Sequence, residues 1–287
     1  MAVARLAGMA ERTFTIGGVD GDEVSRLGFG AMRLCGPDVL GEPADPEAAR
    51  QVARRAVDLG VDLIDTADAY GPGTGERLLR EALDLPRDDV LVATKGGLLR
   101  SSDGDWIPRG DPAHLRNAAL CSRDRLGVET IDLYQLHSPG SETPVEESVQ
   151  AIAELRDAGL VRHVGLSNVT VEQLDRARDV CEIATVQNRY NVGTRDDDVL
   201  DACERHGIGF LPWFPLGAGR LDVPGLDDVA AAHDATREQV ALAWLLRRSP
   251  VVLPIPGTAS VAHLAENVAA ADLTLTDEEF SRLARGG

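Results

Sequence analysis

Four side chains in this sequence are of types that, brought together, control the movement of a proton: Asp65, Tyr70, Lys95 and His137. Asp65 ends the short apolar run Val61-Asp62-Leu63-Ile64, and Tyr70 follows five residues later, just before Gly71. Lys95 is the only lysine in a chain whose other strongly basic residues are all arginine. Arginine is no replacement where a compact, titratable ammonium is required, so the place of this single lysine needs a reason. A phenol with a pKa of ~10 exchanges protons poorly near neutrality. An ammonium beside it stabilises the phenolate and lowers that pKa, while a carboxylate behind the ammonium keeps it charged and oriented. At an effective dielectric of ~20, unit charges ~4 Å apart interact by about 4 kcal/mol, enough to matter. A histidine near the phenol can hydrogen-bond a carbonyl oxygen. Such a set delivers a proton to an oxygen as the carbon bearing it is reduced. A nucleophile elbow is absent, since Gly165-Leu166-Ser167-Asn168-Val169 lacks the closing glycine.

Taken singly, each residue has a plain structural alternative. His137 alone reads as a satisfied core histidine, Asp65 as a loop cap, Lys95 as a surface lysine and Tyr70 as packing. Asp68, next to the pair, reads as a loop residue. Chemistry therefore depends on the elements that would bring the four together.

Those elements alternate. The region from Thr13 to Ser25 reads as a hairpin around Gly17-Gly18 and Asp20-Gly21-Asp22, running into a first core strand at Leu27–Ala31. Further short apolar strands are expected at Leu63–Asp65, Val90–Thr94, Ile131–Leu136, Val161–Leu166, Ile183–Val186, Gly209–Pro212 and Val251–Ile255. Between them stand helix starts with recognisable caps. These are Asp45-Pro46, Asp111-Pro112, Thr143-Pro144, and the capping boxes Thr170/Gln173 and Thr236/Gln239, with a further box, Thr276/Glu279, on a terminal helix. About eight strand–helix units imply a parallel sheet closed into a (β/α)8 TIM barrel with an N-terminal β-hairpin. A doubly wound sheet is the weaker option, because Gly28-Phe29-Gly30-Ala31-Met32-Arg33 has arginine where a dinucleotide fingerprint needs its third glycine. Residues 1–12 are expected to form a flexible tail and 13–287 a single barrel domain.

In such a barrel the C-terminal strand ends face one mouth. Asp65, Lys95, His137, Ser167 with Asn168, Gln187, Trp213 and Gly257 then stand there in turn, and Tyr70 lies in the loop beside them. Trp213 offers a flat face for a nicotinamide, and Ser167, Asn168 and Gln187 suit its carboxamide. The stretches Leu216-Gly217-Ala218-Gly219 and Gly257-Thr258 allow close approach of phosphates, helped by a helix N-terminus. The Gly96–Gly110 stretch reads as a long loop shaping a pocket, with Trp106 either its wall or packed locally.

The bulk properties narrow the classes. At 287 residues and 44% hydrophobic content the chain can bury a large core. Lys+Arg of 29 against Asp+Glu of 47 gives a net charge of −18, which argues against nucleic acid as a partner. That acidity fits either ordinary surface solvation or a high-salt habitat. No run has membrane length and the N-terminus has no signal-like core, so a cytoplasmic protein is expected. The four separate cysteines and six scattered histidines suggest neither disulfides nor a metal site.

The ordered motifs resemble the aldo-keto reductase family over nearly the whole chain. They are Leu27-Gly28-Phe29-Gly30-Ala31-Met32, Ile64-Asp65-Thr66-Ala67 with Tyr70-Gly71, Ala93-Thr94-Lys95, and Ile131-Asp132-Leu133-Tyr134-Gln135-Leu136-His137. Val164-Gly165-Leu166-Ser167-Asn168, Pro215-Leu216-Gly217, and Pro254-Ile255-Pro256-Gly257 with Glu266-Asn267 complete the series. The resemblance implies a catalytic tetrad of Asp65, Tyr70, Lys95 and His137, with Tyr70 as general acid. It also implies an extended NADP(H) contacted by Gly30, Met32, Ser167, Asn168, Gln187, Trp213, Phe214, Leu216, Gly217, Gly257, Thr258, His263, Glu266 and Asn267. Gln187-Asn188-Arg189-Tyr190-Asn191 and Pro212-Trp213-Phe214-Pro215-Leu216 resemble a prokaryotic branch that includes pyridoxal reductases. Where relatives clamp the adenosine 2′-phosphate with basic residues, this sequence offers only His263 and hydroxyls, which opens the site to NAD(H) as well. The expected activity is reduction of an aldehyde or ketone to an alcohol, or the reverse, by a monomer or small homo-oligomer. A cofactor-binding regulatory subunit on the same fold is the alternative, and a Schiff-base enzyme using Lys95 ranks third.

Overall fold

The computed structural model describes residues 12–286. Of the tail expected over 1–12, all but Arg12 lies outside the described residues. The N-terminal hairpin pairs β1 (Thr13–Ile16) with β2 (Asp22–Ser25) in antiparallel register, Phe14 opposite Val24.

Seven parallel strands follow in one curled sheet: β3 (Phe29–Gly30), β4 (Leu63–Asp65), β5 (Leu91–Gly96), β8 (Ile131–Leu136), β9 (Val161–Ser167), β10 (Thr185–Gln187) and β11 (Gly209–Phe210). Between β5 and β8 lies a small hairpin, β6 (Leu98–Arg100) with β7 (Trp106–Pro108). The expected eighth strand, Val251–Ile255, has the right place but not regular pairing. Leu253 N–H donates to Phe210 O at 2.8 Å, and Gly28 N–H donates to Pro254 O at 2.9 Å. The segment therefore joins both sheet edges and closes the (β/α)8 barrel. Pro254 and Pro256 have no N–H to donate, so the ladder is reduced to a bridge at Phe210–Val252.

Ile16 and Val24 of the hairpin pack with Leu63, Leu91, Leu133, Leu211 and Leu253, plugging the barrel's lower end with apolar side chains. The helices pack outside through two larger clusters. Their starts follow the cap chemistry: Asp45 accepts from Ala48 N–H and Asp111 from His114 N–H, each before a proline at the first helical position. All three expected capping boxes form. Pro144, not Thr143, is the residue before the helix Val145–Asp157. A further helix, Leu226–Ala232, is not marked by the sequence patterns above. Among the described residues, no helix is long and apolar enough to cross a membrane and no group of three or more His, Cys, Asp or Glu is placed to hold a metal ion.

Candidate active site

The parallel register sets Asp65 of β4 beside Ala93 of β5, and Lys95 beside Gln135 of β8. Period-two alternation then sends Asp65, Lys95 and Gln135 inward at the upper end of the barrel. Gly165 on β9 is required here, because a Cβ would lie 2.7 Å from Gln135 Cγ and 2.4 Å from Thr185 Oγ1. After Asp65 the chain is pinned by Thr66 N–H to Ala93 O and Asp68 N–H to Lys95 O. Gly71, at φ 61°, turns where a Cβ would meet Gly41 O at 2.7 Å, and this turn holds Tyr70 over the mouth.

The structure brings Asp65, Tyr70, Lys95 and His137 together. Lys95 Nζ donates to Asp65 Oδ2 at 2.6 Å, to Thr66 O at 2.8 Å and to Tyr70 Oη at 3.3 Å. Its three protons are thus all directed. Asp65 Oδ1 accepts from Gln187 Nε2 at 2.8 Å and from Gln135 Nε2 at 3.2 Å. His137 lies edge-on to the Tyr70 ring, centroids 5.9 Å apart, and its Nδ1 is buried without a hydrogen-bond partner. The ring is therefore positioned by packing.

Lys95 is wholly buried and Asp65 nearly so. Burial alone would lower the Lys95 pKa, but the Asp65 charge and then Tyr70 outweigh it, and the ammonium is held above its ordinary value. Burial pushes the Tyr70 phenol up, and the adjacent Lys95 charge only partly opposes this. The expected net lowering of the phenol is thus not found: desolvation wins in the protein alone. His137 is driven well below its ordinary value by burial and by Lys95, so the imidazole is neutral.

Tyr70, Asp65 and His137 face a cavity of about 1400 Å³, with Lys95 behind them. Gly30, Met32, Ser167, Asn168, Gln187, Trp213, Phe214 and Leu216 line it, as do Gly257, Thr258, His263, Glu266 and Asn267. Gly217 does not, whereas Gly219 does, because the chain makes a tight turn at Gly217–Gly219. Asn168 adopts a left-handed φ of 58°, a conformation asparagine tolerates. Its Oδ1 accepts from Trp213 Nε1 at 3.0 Å, and its Nδ2 donates to His137 O at 2.9 Å and Ser167 Oγ. Asn168 therefore ties the indole to the fifth strand end. The Gln187 amide is likewise shared, its N–H serving Asp65.

Gln135, Arg33, Arg100 and Glu238 are among the lining or supporting residues that the sequence does not mark as functional. Gln135 orients Asp65, and its position two before His137 on one strand was a usable signal. Arg33 lines the cavity with its Cγ about 3.6 Å from where a Gly257 Cβ would stand. It is the arginine found in place of the fingerprint's third glycine. Arg100 and Glu238 also line the cavity, without any local motif to mark them. An extended dinucleotide fits these walls: an indole and amides lie at the tetrad end, and glycine turns with one guanidinium lie farther along.

Residues 26–285 match the model of the Aldo/keto reductase family. The chain is 46% identical over 284 residues to pyridoxine 4-dehydrogenase of Escherichia coli, covering 96% of this chain and 98% of that protein. Among solved structures it superposes on the glycerol dehydrogenase of Gluconobacter oxydans with a TM-score of 0.86 at 28% identity, covering 97% of each chain. An aldo/keto reductase of Klebsiella pneumoniae, solved with NADP and acetate, gives a TM-score of 0.81 at 28% identity, covering 96% of this chain and 95% of that one. The chain belongs to the aldo/keto reductase family, and is an oxidoreductase of that family.

Proposed function

We propose that this protein interconverts an aldehyde or ketone and its alcohol with NADP(H), and that pyridoxal and pyridoxine are its substrate pair. The observation that carries the reaction type is the aim of Lys95, whose protons meet Asp65, Thr66 O and the Tyr70 oxygen. When bound, a reduced nicotinamide would supply hydride to the carbonyl carbon. Tyr70 gives its hydroxyl proton to the carbonyl oxygen, and Lys95 stabilises the phenolate left behind. Asp65, oriented by Gln135 and Gln187, keeps Lys95 charged. Neutral His137 donates a hydrogen bond that fixes the carbonyl oxygen beside Tyr70. Trp213, Ser167, Asn168 and Gln187 would hold the nicotinamide, and Arg33 with Gly257 and Thr258 the phosphates. The identity to pyridoxine 4-dehydrogenase along almost the whole chain supports the substrate pair, and the NADP-bound neighbour supports the cofactor. Free thiols at all four cysteines are consistent with work in the cytoplasm.

The test is a panel of carbonyls that includes pyridoxal, run with NADPH and NADH in parallel at low and high salt. Loss of the reduced nicotinamide's absorbance with pyridoxal among the best substrates is expected. No turnover of any carbonyl with either cofactor would contradict the reading.

A further inference from the structure

The space in front of Tyr70 and His137 is roofed by the β6–β7 hairpin. Trp106, at its return strand, stands edge-on to both rings, with centroids 6.3 Å from each. The Arg100 guanidinium lies 3.7 Å from the centre of the indole. Its position in the wall makes it the obvious candidate to receive an anionic group on a substrate, yet three of its five N–H groups are committed. Nη1 donates to Val39 O at 2.9 Å, and Nη2 donates to Asp38 O at 2.8 Å and Gly104 O at 3.0 Å. Nε is buried with no partner. Of the five N–H groups of a guanidinium, a single Nη1 proton is left for the cavity. Arg100 is thus a strut that ties the 36–41 turn to the hairpin and holds Trp106 in place. Arg33, another guanidinium lining this cavity, stands beside Gly257 on the cofactor wall. What remains at the hairpin end are two exposed carboxylates, Asp38 and Asp103, lining the same space.

We infer that the substrate end selects by charge: it admits an aldehyde without an anionic substituent and turns away carboxylates and phosphate esters. This rests on the carbonyl-reductase reading above and narrows its substrate class. An anionic group entering here loses hydration, gains at most the one remaining Arg100 proton, and meets two like charges. Because both carboxylates are exposed, the repulsive part is screened by salt.

The experiment compares kcat/KM for benzaldehyde with 4-formylbenzoate, and for pyridoxal with pyridoxal 5′-phosphate, at saturating cofactor and low salt. The anionic member of each pair should be poorer by about 10-fold or more. The anion-to-neutral ratio should rise about 3-fold or more in the Asp38→Asn, Asp103→Asn double variant, and also in the wild type on adding salt. Equal kcat/KM within a pair, or a ratio unmoved by both changes, would overturn the inference. If no aldehyde is turned over, the enzymatic reading fails separately. Charge selection is then read from quenching of tryptophan fluorescence by the same two benzaldehydes, where equal affinities would overturn it.

Discussion

Lys95 and Asp68, linked by a backbone hydrogen bond from Asp68 N–H to Lys95 O, show how burial acts on neighbouring charged groups. Lys95 has a full set of partners and stays charged. Asp68, three residues after Asp65, has an oxygen buried without a partner, and its carboxyl is pushed up from an ordinary 3.8 to about 7. Burial is the main cause, and the charge of buried Glu76 adds to it, while Arg125 and Lys95 oppose. Tyr134 faces the same cluster from β8. The folded protein therefore keeps a proton on Asp68 where the unfolded chain has lost it, and stability is lost as pH rises from about 4 to about 7. Asp68→Asn cannot ionise. Its stability relative to wild type, measured by urea unfolding, should increase across that window and level off above it. A constant difference with pH would contradict the assignment. Neutral His137 acts in the opposite sense, losing stability as pH falls below its ordinary range, but it is common to both proteins and cancels. The tetrad itself was legible from residue type, strand-end position and the rarity of lysine. Asp68 read as an ordinary loop residue because its burial, and the charges of Glu76 and Arg125 that act on it, arise only where other elements meet it.

Elements were legible where local chemistry decides them and less so where distant pairing does. Caps and apolar runs marked most helices and strands. The β6–β7 hairpin did not stand out, since each arm is three residues long within a glycine- and aspartate-rich stretch, and its roof arises from the pairing of Arg100 with Trp106. Barrel closure is the second case. With Pro254 and Pro256 withholding donors, the last segment leans on Arg26, buried before β3, which donates to Val252 O at 3.2 Å and to Leu246 O and Ser249 O at 2.6 Å each. Arg26→Met leaves these carbonyls short of partners, and a loss of about 2–4 kcal/mol in urea unfolding is expected. A variant as stable as wild type would mean that the other closure bonds suffice.

At the scale of the whole molecule, the net charge of −18 makes the folded state repel itself. Many surface arginines are already paired with carboxylates, among them Arg176 with Glu146 and Arg54 with Glu47. Such exposed pairs contribute little each, so the unpaired excess of acids governs the response to salt. The melting temperature should rise with sodium chloride up to roughly 0.5 M, where the screening length has fallen to about 4 Å. A flat or falling melting temperature would show that the acids are spread widely enough to be harmless. The barrel class was legible from the rhythm of elements alone, whereas the shape of the cavity depends on loops that meet only in the folded chain.

In the proposed mechanism Tyr70 gives the proton and Lys95 prepares it to do so. The direct measurement is turnover of pyridoxal by Tyr70→Phe, with cofactor affinity read in parallel from quenching of tryptophan fluorescence. Turnover should fall by about 10²–10⁴-fold while cofactor affinity stays within about 2-fold. Turnover near that of the wild type would contradict the account.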